Sequence, residues 1–182
     1  MPPRPTKWIK RNDRPEPLLS PSVTNGNTPS AQQNQSFAPM TNQPISAFRA
    51  TSNMNLSVAA NAASGVLFQN VQFDLANEYN PGTSTFSPRT AGVYSLNASV
   101  EFQANANVGF NLEVVFLVNQ DVVGGNNKSQ AGNIPAVVAI TEILQLNAGD
   151  TVTVAMRSTA AGVIQATTRT HFAAARVPSP TS

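Results

Sequence analysis

The chemistry open to this chain rests on one histidine, His171, nine carboxylates and no cysteine in 182 residues. His171 follows Thr170, so an imidazole base beside a hydroxyl nucleophile is one arrangement to weigh. Asp150 or Asp121 would then orient the ring. His171 sits in an alternating terminal segment, however, where a structural or surface role is expected. None of the motifs H-E-x-x-H, G-x-S-x-G or G-x-x-x-x-G-K-[ST] occurs. Without cysteine there are no disulfides, no thiolate metal sites and no thiol nucleophiles. The chain reads as non-enzymatic, with no catalytic residues and no cofactor. One hard-cation site remains to weigh. Asn119, Asp121, Asn126 and Asn127 bring oxygens together of the kind calcium takes, but only Asp121 is charged. The neighbouring Gly124-Gly125 pair is expected simply to allow a turn.

The elements that would position these groups are strands. Helical periodicity is weak, and period-two alternation is common. In Val93–Gln103 one face reads Tyr94, Leu96, Ala98, Val100 and Phe102, and the other is largely polar. Thr151–Arg157 repeats this, with Val152, Val154 and Met156 inward. Phe110–Asn119 differs, because Val115 and Leu117 add apolar area to its second face. That strand calls for a second cover, which a neighbouring subunit would supply. Turns are expected at Asn80-Pro81-Gly82, Thr90-Ala91-Gly92, Gly124-Gly125-Asn126-Asn127 and Asn147-Ala148-Gly149-Asp150. Eight or more short strands so punctuated predict an all-β sandwich or barrel.

Composition divides the chain near Pro44. Residues 1–44 hold 9 of the 14 prolines, and residues 45–182 form the predicted head. Residues 1–16 carry Arg4, Lys7, Lys10, Arg11 and Arg14 against Asp13 and Glu16, while the rest is close to neutral. The basic balance thus belongs to the arm and does not make the head a nucleic-acid binder. In the arm, Trp8, Ile9, Leu18 and Leu19 are the candidate anchor onto a partner, with the Asn, Gln, Ser and Thr-rich residues 22–44 as linker. A solvated tail is the plainer alternative. Charged residues make up only 11% of the chain, so little long-range repulsion keeps copies apart. No stretch has the length and apolarity of a membrane span or a signal-peptide core.

The segment Asn77–Phe102, NEYNPGTSTFSPRTAGVYSLNASVEF, resembles the signature of the complement component 1q globular head, within the tumour-necrosis-factor-like jelly rolls. An opening Ser-Ala-Phe-x-Ala strand is matched by Ser46–Ala50. Phe73-Asp74 through Tyr79-Asn80-Pro81 resembles the family's corner, and Thr83–Phe86 and Pro88–Tyr94 resemble its next two strands. Leu144, Leu146, Gly149, Asp150 and Val152 resemble a later element, and Phe172 the inward aromatic of the last strand. Asn80 stands where the family often has Asp, the last strand departs from the usual Phe-Ser-Gly-Phe, and a collagen-like stalk is missing. The resemblance implies a two-sheet antiparallel jelly roll that trimerises around its inner sheet. It also implies core roles for Phe48, Phe73, Tyr94 and Phe172.

Together these readings predict a homotrimeric display head. Residues 1–44 would hold it on a capsid, tail or other surface-layer protein of a virion such as a phage. A bacterial spore surface is the alternative location. A receptor- or carbohydrate-binding head gripping a host-surface ligand is the alternative function, with Tyr79 and Phe86 as candidate contacts that are better placed in the core.

Overall fold

A computed structural model describes residues 45–132 and 134–178. The proposed anchor residues Trp8, Ile9, Leu18 and Leu19 lie outside the described residues. Thirteen strands follow one another: β1 (Ala47–Thr51), β2 (Leu56–Val58), β3 (Ala63–Gly65), β4 (Asn70–Asp74), β5 (Tyr79–Asn80), β6 (Thr85–Phe86) and β7 (Gly92–Ala104). Then come β8 (Phe110–Val118), β9 (Asp121–Gln130), β10 (Ala136–Leu146), β11 (Val152–Ser158), β12 (Gly162–Ile164) and β13 (His171–Arg176). They pair antiparallel into two sheets. The first has the order β2-β12-β7-β13-β1-β4, with β10 also on β7; the second has β5-β6-β11-β8-β9, with β3 also on β11. Among the described residues no helix is long and apolar enough to cross a membrane.

The alternation seen in the sequence becomes two inner faces. Tyr94, Leu96, Ala98, Val100 and Phe102 of β7 are buried, and so are Phe110, Leu112, Val114 and Phe116 of β8 and Val152, Val154 and Met156 of β11. Side chains of period two from facing sheets interdigitate to form one core. Phe172 sits where the sheets meet. Its ring lies 4.9 Å from Phe48, 5.8 Å from Phe68, 6.1 Å from Tyr79 and 5.8 Å from Phe116, centroid to centroid. Phe48 in turn stacks on Tyr79 at 4.3 Å and on Phe86 at 5.0 Å.

The corner between β4 and β5 is fixed by one carboxylate. Asp74 Oδ1 accepts the Glu78 N–H at 3.1 Å and Oδ2 accepts the Tyr79 N–H at 2.9 Å. Asn80 Oδ1 then accepts the Gly82 N–H at 2.9 Å. An amide oxygen suffices for such a local turn, so Asn in place of the family's usual Asp leaves the corner intact.

Two expectations need correction. Phe73 is not core: it is 43% exposed. β4 is an edge strand that pairs Phe73 with Arg49, after a register shift between Arg49 and Ala50, and so turns the ring to the outward face. Phe68 fills the interior instead, fully buried just before β4. Gly124–Asn127 is not a turn but the middle of β9. The reversal falls at Asn119 and Gln120, both with positive φ, 51° and 76°. Gly124 serves close approach: a Cβ there would collide with the Glu142 side chain of β10.

Replacing Phe172 by Ala removes the ring shared by both sheets. The expected cost is about 3–5 kcal/mol, as for other buried aromatic truncations. Urea denaturation followed by circular dichroism checks it, and a loss below about 1 kcal/mol would contradict this packing.

Candidate assembly face

The core consumes one face of the first sheet, and the other face is open to a partner. Register lines up its rows. Ile143, Ser95, Ala175 and Ala47 lie side by side across β10, β7, β13 and β1. The next row is Thr141, Asn97, Ala173, Arg49 and Phe73, and the one after is Ala139, Ser99, His171 and Thr51. Small side chains fill the middle and large apolar ones stand at the margins. Ile143 is 68% exposed and Leu75, which donates its N–H to the Ala47 carbonyl, is 61% exposed. Arg49, Glu101 and His171 are the titratable positions of this face.

The apical half of the face is covered by residues 165–170. Glu101 is buried there; its carboxylate accepts Thr167 Oγ1 at 2.6 Å and Arg169 Nη1 at 3.1 Å. Thr170 Oγ1 donates to the Gln165 carbonyl at 2.7 Å and accepts the Glu101 N–H at 3.1 Å. His171 closes the cluster, with Nδ1 3.2 Å from the Thr168 carbonyl and Nε2 3.0 Å from Asn97 Oδ1. Burial, then the Arg49 guanidinium, hold its pKa below the ordinary value.

The two ends of the sandwich differ. β1 begins and β13 finishes at one end, where the Arg176 N–H reaches the Ser46 carbonyl at 2.9 Å. The same end carries the Asn119–Gln120 and Asn147–Asp150 turns. A shallow groove there is lined by Glu78, Tyr79, Arg89, Gly149 and Thr151, among others. Its Glu78 carboxylate is already engaged, accepting the Arg89 N–H at 2.7 Å and the Ser46 hydroxyl. The opposite end is built from residues 52–55, 105–109, 131–132, 134–135 and 159–161, with Met54, Val108 and Ile134 exposed.

The residues weighed for catalysis do not come together. Asp150 lies in the β10–β11 turn, where Asn119 Nδ2 and the Asn147 N–H hold its carboxyl below the usual range. Asp121 opens β9 in the second sheet, whereas His171 and its partner Asn97 lie in the first. The calcium reading fails on geometry. Asn126 and Asn127 are successive residues of a strand and point to opposite faces. Asn126 Nδ2 donates to the Ala139 carbonyl, and Asn119 bonds Asp150 and Thr151. Among the described residues no group of three His, Cys, Asp or Glu side chains is placed to hold a metal. Tyr79 and Phe86 are buried, as are Phe48, Tyr94 and Phe172. Val115 and Leu117, expected to need a second cover, are half-buried on the outward side of the second sheet, beside Ala155, Gly125 and Val122. The doubly apolar strand is therefore not on the small-residue face. Ile143 and Leu75 were missed, though the low charge along Val93–Gln103 and Ala136–Leu146 was a usable signal.

A match to the C1q domain runs over residues 47–173, most of the chain. The chain belongs to the C1q domain family. No curated protein matches it in sequence. Among solved structures it is similar to the Eiger TNF of S. frugiperda at 14% identity and a TM-score of 0.55, covering 77% of this chain and 97% of that one. It is also similar to murine APRIL at 12% identity and a TM-score of 0.57, covering 73% and 99%. At such identity the likeness is one of fold. C1q and tumour-necrosis-factor-like domains usually form homotrimers and are generally non-catalytic.

The two tyrosines test the interior of this C1q head. Desolvation pushes Tyr79 up to about 12 and raises Tyr94 as well. A raised phenol pKa stabilises the fold fully below pH 10 and loses that contribution as pH climbs toward the folded value. Absorbance titration of the folded protein should show Tyr79 still protonated at the model-peptide midpoint of 10.0. Phenolate from both tyrosines at that pH without loss of structure would contradict the burial.

Proposed function

We propose that this chain is a structural display protein: a homotrimeric C1q head held on a particle surface by residues 1–44. The particle is a virion, with the chain a phage head fibre, decoration or tail component. The observation that carries the assembly is the low-charge face of the first sheet, with small residues at its centre and Phe73, Leu75 and Ile143 exposed at its margins. A second copy presents the same chemistry and can bury it without stranding charge. The arm reading is supported by the fold's polarity. Ile45 enters at the end of the sandwich opposite residues 105–109 and 134–135, so a docked arm leaves those loops facing away from the particle.

A receptor-contact role for that far end is the second reading. The exposed Met54, Val108 and Ile134 favour it, as apolar side chains that a bound partner would cover.

Light-scattering mass on the full chain and on residues 45–182 should give homotrimers for both. A monomeric head would overturn the assembly. Ile143→Asp puts a charge in the contact and should lower the association constant by about a hundredfold or more. Val122→Asp, on the outward side of the second sheet, should leave the mass unchanged. Antibody against residues 45–182 should label purified virions and lose that signal when residues 1–44 are deleted. Absence of the head from the virion fraction would overturn the particle assignment.

A further inference from the structure

We propose that His171 is a pH-sensitive latch on the contact between copies: with a neutral imidazole the contact holds, and protonation releases it. This rests on the homotrimer reading above. The argument starts from position. His171 is the one histidine of the chain, half-buried where the open part of the proposed contact face meets the part covered by residues 165–170, opposite Thr51 on β1 and Ser99 on β7.

Its ring nitrogens both meet oxygens, the Thr168 carbonyl at 3.2 Å and Asn97 Oδ1 at 3.0 Å. Asn97 Nδ2 donates to Thr141 Oγ1 at 2.9 Å, which fixes which end of the amide faces the ring. A neutral imidazole donates to one of these oxygens and leaves a lone pair toward the other. That nitrogen is the site where a proton adds.

The charges around the ring decide which form wins. From β1 comes Arg49, a cation on the same face. From β7 comes Glu101, whose two oxygens are taken by Thr167 and Arg169. Residues 165–170 contribute Arg169 itself, already paired with Glu101. β10 contributes the uncharged Ala139 and Thr141 to the neighbouring rows. Protonated His171 would therefore place a second cation beside Arg49, with the Glu101 carboxylate of this face already committed. The acceptor oxygens pull toward protonation, but burial and Arg49 outweigh them and lower the pKa in the single copy. A second copy removes more water from the ring and pushes in the same direction.

The sign of the linkage follows. For assembly the reference is the separated folded copy, whose pKa already lies below 6.5; the contact keeps its full contribution above that copy's value and loses it as pH falls through the still lower value in the homotrimer. Separated copies bind the proton more tightly than joined ones, so acid favours separation.

The test is sedimentation velocity of the full chain and of full-length His171→Gln, from about pH 8 down to about pH 5, the range in which an ordinary histidine changes charge. The wild type should hold its homotrimer at the alkaline end and lose at least about tenfold in association constant below 6.5, while His171→Gln stays flat. A wild-type homotrimer unchanged across the range overturns the latch and leaves the assembly standing. A monomer at the alkaline end overturns both. Parallel loss in wild type and variant overturns the latch, because another group then carries the effect. Proton NMR of the single imidazole supplies a direct reading: its midpoint in the homotrimer should lie below its midpoint in monomeric Ile143→Asp, and an equal or higher midpoint overturns the proposal.

Discussion

The fold depends on one shared ring. Phe172 belongs to β13 in the first sheet, yet it touches Phe116 of β8 in the second and Phe48 of β1 beside it. Its neighbours Phe68 and Tyr79 come from the crossing between the sheets. Aromatic pairs in edge-on or tilted contact add to the energy of plain burial, and here several converge on a single side chain. Strands that are far apart in sequence therefore become interdependent. β13 must lie between β1 and β7 for the ring to reach its partners, and that order places both ends of the described head at one end of the sandwich.

The same arrangement dictates what the outward face can be. With large apolar residues committed inward along β7, β10 and β13, the alternate positions take Ser95, Ser99, Ala139, Ala173 and Ala175. Small residues make a sheet face flat, and flat faces of matching chemistry approach closely. Charge is scarce on this face because the carboxylates nearby do internal work. Asp74 caps the β4–β5 corner, Glu78 holds Arg89 and Ser46 together, and Glu101 pins residues 165–170. A polar but weakly charged surface suited to assembly is thus tied to the way the loops are fastened.

Much of this was legible in the sequence because strand alternation is a local signal. The buried faces of β7 and β11 and the Asn147–Asp150 turn could be read directly, and the family resemblance ordered them. Long-range register could not be read. Phe73 has the residue type of a core position, and only the edge location of β4 and its shifted pairing with Arg49 turn it outward. Gly124 and Gly125 carry the composition of a turn, but composition does not distinguish a reversal from a strand crowded by Glu142 and Val115. The second cover expected for Val115 and Leu117 is supplied partly within the sheet, by neighbours from β9 and β11 that lie far from them or across a hairpin. In each case the deciding contact lies outside the window in which alternation is visible.

The distribution of charge carries one further step. Asp150 and Asn119 tie together the turns at the end where the described head begins and ends, and Asp74 holds the β4–β5 corner. Hydrogen bonds to neutral groups leave their charge in place, so what a neighbour feels of them at long range is limited by salt screening. On the small-residue face, Glu101 is neutralised from within by Arg169 and hydrogen-bonded by Thr167. What remains there is Arg49, hydrogen-bonded to neutral Gln72, and the titratable ring of His171. A face with so few charges has little else to offset a change in any one of them. The electrostatic behaviour of an assembly built on it is therefore set by very few atoms, in a layer where removal of water magnifies their effect.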